Sequence, residues 1–238
     1  MVAIVSKSSR LFLFDIDGTL LWPRGAGRAA MRVAIEDVFG ISAATEAHIF
    51  GGKTDWQTLI ELLTPLGFDE AVIERTMPEF DHVIGRHLAQ RIGEFDVEAC
   101  PGAHDLIAML RQRDDARLGL ITGNCRSSAP VKLSAAGFDP DDFPVGAFGS
   151  ESRDRDALAP LALTRAQSHY GHAFDPRQVI VIGDTEADVR CARAIGALAV
   201  TVRTGYTLPG ELEASAPDLI LDDLHALLPL LADGALLG

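Results

Sequence analysis

Two carboxylates two residues apart, Asp15 and Asp17, follow the apolar run Leu11-Phe12-Leu13-Phe14 and precede Gly18-Thr19. Two more acids, Asp184 and Asp188, follow a second such run, Val179-Ile180-Val181-Ile182, through Gly183. Between them, Arg117-Leu118-Gly119-Leu120-Ile121 ends in Thr122-Gly123-Asn124, which offers a hydroxyl and an amide. Short apolar runs of this kind read as strands buried on both faces, as in a parallel sheet. Unpaired charge is expensive to bury, so acids at the ends of such strands need a partner. Adjacent carboxylates repel one another, and a cation relieves the repulsion. Mg²⁺, held by one or two carboxylates together with phosphate oxygens, fits best. If strand geometry continues through Ile16, Asp15 and Asp17 point the same way. Taken alone, Asp17-Gly18 also reads as a solvated turn.

The elements that must position these residues alternate. Strands are expected at 11–17, 117–122, 145–148, 179–182, 197–202 and 219–221. Helices are expected at 104–113, 126–136, 156–170 and 186–195, with a last one at 225–231 disturbed by Pro229. Residues 205–217 read as a loop with some helix. Strands separated by helices build a parallel sheet, whose carboxyl edge gathers the three strand ends that carry the acids, the hydroxyl and the amide.

The stretch between Trp22 and Val97 shows no strand-like alternation. It reads as helices over 25–39, over about 54–63 with Thr54 or Asp55 as the cap, and over 69–91, the last broken near Pro78. The expected fold class is therefore α/β: a Rossmann-like parallel sheet core (1–21 and 100–238) with helices on both faces, plus an inserted all-helical domain (22–99).

The 238 residues, 47% apolar and 23% charged, suffice for a core without staples. Cys100, Cys125 and Cys191 have neither disulfide nor zinc spacing, and a reducing cytoplasm is the simplest compartment. Met1–Arg10 is too short for a secretory signal, and no run is long enough to span a membrane. A net charge of −13 disfavours nucleic acid. An anionic substrate must then be held by local cations, since the global field is screened within about 8–10 Å.

In this order the motifs resemble those of the haloacid dehalogenase superfamily, in its phosphatase branch with a small helical (C1-type) cap, phosphoglycolate phosphatase-like. Asp15-Ile16-Asp17-Gly18-Thr19-Leu20 is similar to the first motif, Thr122 with Gly123-Asn124 to the second, and Gly183-Asp184-Thr185-Glu186-Ala187-Asp188 to the fourth. The resemblance implies a phosphatase acting on a small phosphomonoester, such as a sugar phosphate or a phosphoglycolate-like molecule. Asp15 would be the nucleophile that forms an aspartyl-phosphate, and Asp17 the general acid and base. Mg²⁺ would be held by Asp15, the backbone carbonyl of Asp17 and Asp184. Asp188 and Thr19 would lie behind these ligands, and Thr122, Gly123 and Asn124 would meet the phosphoryl oxygens.

The third motif departs from the family, whose lysine is absent from Gly149-Ser150-Glu151-Ser152-Arg153-Asp154-Arg155-Asp156. Arg155 is the expected replacement and Arg153 its rival. The insert loop Gly51-Gly52-Lys53-Thr54-Asp55 brings Gly52 and Lys53 forward as substrate contacts, with a solvated lysine as the competing reading. A phosphomutase of the β-phosphoglucomutase type would share the aspartyl-phosphate. It would need a cap base, and Lys53-Thr54-Asp55 contains no histidine. The alternative of another class is a catalytically idle phosphate-binding protein. The expected partner is a small phosphate ester, with no nucleic acid and no membrane, on a monomer or homodimer.

Overall fold

A computed structural model describes residues 9–208 and 210–233. The reading of a leader at Met1–Arg10 therefore lies almost wholly outside the described residues, as do the last five residues of the expected core. Along the chain the strands are β1 (Arg10–Phe14), β2 (Leu21–Trp22), β3 (Glu98–Ala99), β4 (Ala116–Thr122), β5 (Gly146–Phe148), β6 (Val179–Gly183), β7 (Leu198–Val202) and β8 (Leu219–Leu221). The helices are α1 (Ala26–Phe39), α2 (Asp55–Leu63), α3 (Glu70–Arg91), α4 (Ala103–Arg111), α5 (Ser128–Ala135), α6 (Leu158–Tyr170), α7 (Glu186–Ala194), α8 (Glu211–Ala214) and α9 (Leu227–Ala232).

Six strands form one parallel sheet in the order β5-β4-β1-β6-β7-β8. Side chains alternate across it, as the strand period of two demands. Phe12, Phe14, Ile180 and Ile182 face a layer built from Leu106, Leu110 and Leu133 of α4 and α5. Leu11, Leu13, Val179 and Val181 face Leu158, Ala162, Cys191 and Ala192 of α6 and α7. Both faces are covered, which explains why these strands are near-continuous apolar runs. From β1 the chain builds outward through β4 and β5, then returns to β6 on the other side of β1. The strand order reverses there, and a crevice opens at the carboxyl edge.

Helices α1, α2 and α3 lie between β1 and β4 in sequence and share their own apolar cluster, which includes Met31, Ile35, Leu59, Leu63, Met77 and Phe80. The expected break near Pro78 does not occur, and α3 runs unbroken for 22 residues. Proline removes one hydrogen bond and crowds the preceding turn. Met77 and Phe80, both buried, hold the helix across it, with Phe80 packed on Phe39 at 6.4 Å between ring centres.

The two joins of insert and core pair with each other. Leu21 stands opposite Ala99 and Trp22 opposite Glu98 in an antiparallel ribbon, extended by Cys100 N–H to the Leu20 carbonyl at 2.9 Å. Two residues per strand are too few for alternation to reveal, so the sequence shows the joins but not their pairing. Strand geometry in β1 stops at Phe14 rather than continuing through Ile16 to Asp17. Pro229 is accommodated within α9, which starts at Leu227 after a 3₁₀ turn. No helix among the described residues is long and apolar enough to cross a membrane.

Truncating Phe80, fully buried in the insert cluster, is expected to cost about 3–5 kcal/mol. Urea denaturation of Phe80→Ala followed by circular dichroism reads this. A loss under about 1 kcal/mol would mean that the insert repacks around the cavity.

Candidate active site

Asp15 follows β1, Asp184 follows β6, and Asp188 lies in the first turn of α7. All three are buried, and one carboxylate oxygen from each lies within 4.8 Å of the others. Asp188 is held most firmly. It accepts from the backbone N–H groups of Asp184 at 3.1 Å and Thr185 at 2.9 Å, and from the Thr185 hydroxyl at 2.7 Å. Arg155, buried in a 3₁₀ turn before α6, brings one guanidinium nitrogen to 2.5 Å from Asp188 and 3.2 Å from Asp15. Its rival Arg153 points away and pairs with Glu70 at 2.6 Å, where it is well exposed.

Three ionised carboxylates against one guanidinium would leave two negative charges in a buried site. Burial pushes the Asp15 carboxyl up to about 7, with Arg155 pulling it back and Asp188 and Asp17 adding to the rise. Burial, then Asp15 and Asp188, push Asp184 well above the usual carboxylate range. A hard divalent cation bound by oxygens would remove this conflict, so the donor set fits Mg²⁺.

Asp184 is fitted closely into its surroundings. The Thr19 hydroxyl donates to its Oδ1 at 3.2 Å and the Thr207 hydroxyl to its backbone carbonyl at 2.7 Å. Gly18, at φ +89°, has no room for a side chain, since a Cβ there would lie 2.6 Å from Asp184 Oδ2. A Cβ on Gly205 would collide with the same carboxylate. The Thr204 hydroxyl donates to the Gly18 carbonyl at 2.6 Å, and the Trp22 indole N–H to the Thr204 carbonyl at 2.7 Å. Thr204, Gly205 and Thr207 were not expected from sequence. Their signal was position alone, since they follow a parallel strand and so lie at the same sheet edge.

Asp15 and Asp17 do not share a partner, because the strand ends before them. Asp17 pairs instead with Lys132 of α5. The Lys132 ammonium also donates to Asn124 Oδ1 at 2.5 Å, and Asn124 Nδ2 donates to the Thr122 hydroxyl oxygen at 2.8 Å. Sequence reading missed Lys132. It occupies the inward stripe of α5 with Ser128, Ala129 and Leu133, and a lysine at such a position was a legible signal.

The insert is fastened over this edge by its backbone and by the side chains of Thr54, Asp55 and Asp81. Thr54 caps α2 by accepting from Gln57 N–H at 3.0 Å, and its hydroxyl donates to the Arg153 carbonyl at 3.2 Å. Asp55 N–H donates to the Gly123 carbonyl at 2.7 Å, and Trp56 N–H to the Gly149 carbonyl at 3.2 Å. The Asp55 carboxylate accepts from Cys125 N–H at 2.7 Å. Burial pushes this carboxyl up to about 6 against the pull of Lys132. Further along the insert, Asp81 accepts from Ser127 N–H at 2.9 Å and from the Ser150 hydroxyl at 2.7 Å.

Glycine at 123 is required because a Cβ there would strike the Lys53 carbonyl, while Gly52 faces Thr185. The Lys53 ammonium pairs with Glu61 on α2. Its backbone thus lies against the phosphate-binding candidates while its charge is engaged within the insert. A cavity of about 1210 Å³ remains between insert and core, with Asp15, Asp17, Lys53, Thr122, Lys132 and Arg155 on its wall.

Residues 10–196 match the family model described as haloacid dehalogenase-like hydrolase. Among curated relatives, a phosphoglycolate phosphatase of Pseudomonas putida is 28% identical over 233 residues, covering 95% of this chain and 81% of its own. Among solved structures, a hydrolase from Pseudomonas syringae superposes with a TM-score of 0.68 at 23% identity, covering 94% of this chain and 99% of its own. The Rhodobacter sphaeroides protein CbbY, in complex with phosphate, gives a TM-score of 0.65 at 19% identity, covering 92% and 96% of the two chains. At these identities the structural likenesses establish the fold.

Asp15 and Asp184 bind protons more tightly in the folded chain than in the unfolded one, so they favour folding at low pH. That contribution is lost as pH rises through about 7 for Asp15. A divalent cation competes with those protons and is held best once they have left. Mg²⁺ is therefore expected to raise the melting temperature more near pH ~8 than near pH ~6. Scanning calorimetry with Mg²⁺ and with EDTA reads the difference, and an equal effect at both pH values would place the cation elsewhere.

Proposed function

The chain belongs to the haloacid dehalogenase-like hydrolase family, and we propose that it is a Mg²⁺-dependent phosphatase of small phosphomonoesters, working through an aspartyl-phosphate on Asp15. Residues 22–99 act as the cap and residues 1–21 and 100–238 as the catalytic core. The observation that carries this reading is Asp15 itself, a buried carboxylate braced by Arg155 and grouped with Asp184 and Asp188 at the sheet edge. Arg155 orients Asp15 and, with five donors in a fixed fork, has others free for a phosphoryl oxygen. Mg²⁺, held by Asp15, the Asp17 carbonyl and Asp184, supplies charge neutralisation for the phosphoryl group when bound.

Thr122 is prepared as a donor. Its oxygen accepts from Asn124 Nδ2 at 2.8 Å and from Asn124 N–H at 3.3 Å, which leaves its hydrogen for a phosphoryl oxygen. Asp15 attacks phosphorus, the ester P–O bond breaks, and Asp17 gives its proton to the departing alkoxide. Water then attacks the aspartyl-phosphate, its proton passes to Asp17, and free phosphate leaves with Asp15 restored. Gly123 and Gly52 let the insert close on this edge, and Lys53 stands at the cavity wall where the rest of the substrate lies. The name of the Pseudomonas putida relative, together with a cavity lined by Lys53, Lys132 and Arg155, makes phosphoglycolate the first substrate to try and small sugar phosphates the next.

Phosphate release from a panel of phosphomonoesters, with Mg²⁺ and with EDTA, tests the reading. Asp15→Asn is expected to lower kcat by at least about 10⁴-fold, and Arg155→Met by about 10²–10³-fold. Acid quenching with labelled substrate should leave phosphate on the wild-type chain and none on Asp15→Asn. Release from no ester would sink the phosphatase reading, and full activity in Asp15→Asn would sink the mechanism.

A further inference from the structure

We propose that Lys132 is a positioning residue whose ammonium locks the carboxylate of Asp17, so that Oδ1 alone exchanges protons with substrate and water. The inference rests on the reading of Asp17 as acid and base. It adds a residue from a helix that none of the recognised motifs reaches.

Lysine is almost never buried without a partner. The Lys132 side chain is 3% exposed, in a helix whose other inward residues are small or apolar. Its ammonium meets Asp17 Oδ2 and Asn124 Oδ1. The second oxygen of Asp17, Oδ1, is buried and has no hydrogen-bond partner among the described residues, although Asp17 lines the cavity. The two oxygens of one carboxylate are therefore unlike. One is occupied by a fixed cation, and the other is unclaimed at the place where a substrate must sit.

The donor inventory makes this consequential. An ammonium has three donors and no acceptor. The oxygen that faces it cannot carry the proton, so a protonated Asp17 carries it on Oδ1. The same logic orients Asn124. It must present its carbonyl oxygen to Lys132, which turns its Nδ2 toward Thr122 and frees the Thr122 hydroxyl hydrogen. One buried ammonium thus sets both the proton-transfer oxygen and the phosphate-binding hydroxyl. In the first step the ester P–O bond breaks and the proton leaves Oδ1 for the departing oxygen. In the second, a proton of the attacking water returns to Oδ1 while the bond from Asp15 to phosphorus breaks. Oδ2 stays on Lys132 throughout. Gly27, at the start of α1, leaves room for this, since a Cβ there would come within 3.1 Å of the ammonium.

Single-turnover phosphorylation of Asp15 tests the inference with two esters. One is the best alkyl phosphate of the panel above, whose leaving alkoxide needs a proton. The other is p-nitrophenyl phosphate, whose leaving phenolate does not. Asp17→Asn is the control, and Lys132→Met is the variant. Asp17 is 33% exposed, so losing its partner does not strand a fully buried charge. Lys132→Met is expected to slow the alkyl ester by about 10²-fold and the aryl ester by less than about fivefold. KM should stay within about threefold for both. Lys132→Arg, which still donates to the carboxylate, should recover part of the loss. Should Lys132→Met not fold, Lys132→Gln carries the same expectation.

Equal losses on the two esters would reduce Lys132 to a structural role, and no loss on either would show that Asp17 needs no holding. A rise in KM confined to an alkyl ester that bears a carboxylate would make the ammonium a substrate contact instead. Each of these outcomes overturns the inference. Asp17→Asn without leaving-group dependence would overturn the acid–base reading itself, which separates the two failures.

Discussion

Charge balance at one sheet edge governs this molecule. Asp15, Asp184 and Asp188 share a buried space, and Arg155 answers only part of their charge. Like charges so close in a poorly polarisable setting raise one another's pKa and strain the fold unless something positive joins them. The surrounding structure keeps them there regardless. Backbone donors hold Asp188, two threonine hydroxyls hold Asp184, and glycines at 18 and 205 yield the space a side chain would take. A fold that spends so many contacts on keeping repelling groups together makes a place suited to a cation.

The topology explains why these groups can meet at all. Asp15 and Asp184 are separated by most of the chain, yet β1 and β6 are neighbours because the strand order reverses between them. Thr122 arrives from β4 on the other side of β1. Each strand end contributes one functional type, and no local segment could assemble the set. The insert adds a roof fixed through main-chain groups of Asp55 and Trp56 and through the side chains of Thr54, Asp55 and Asp81.

Much of this was legible in the residues themselves. The apolar runs ending in acids marked β1 and β6, and the shift from alternating elements to an all-helical stretch marked the insert. The missing lysine was visible as a gap in a motif with Arg155 and Arg153 as candidates, and only the fold shows Arg155 beside Asp15 and Arg153 paired with Glu70. What remained hidden were pairings between distant segments. Lys132 stands on the inward stripe of its helix in the sequence, but only the fold shows that it meets Asp17. Lys53, conspicuous beside two glycines, turned out to be engaged with Glu61. Pro78 misled because a local rule about proline was outweighed by burial of Met77 and Phe80, which no local rule contains.

The ribbon of β2 and β3 has a mechanical meaning. Both crossings between insert and core run side by side through it, so the insert hangs on a single double-leaved hinge rather than on two separate tethers. The leaf at Trp22 is bolted to the Thr204 carbonyl, next to the glycine that presses on Asp184. The axle and the acid site share one mounting, since Thr204 adjoins the glycine packed against the Asp184 carboxylate.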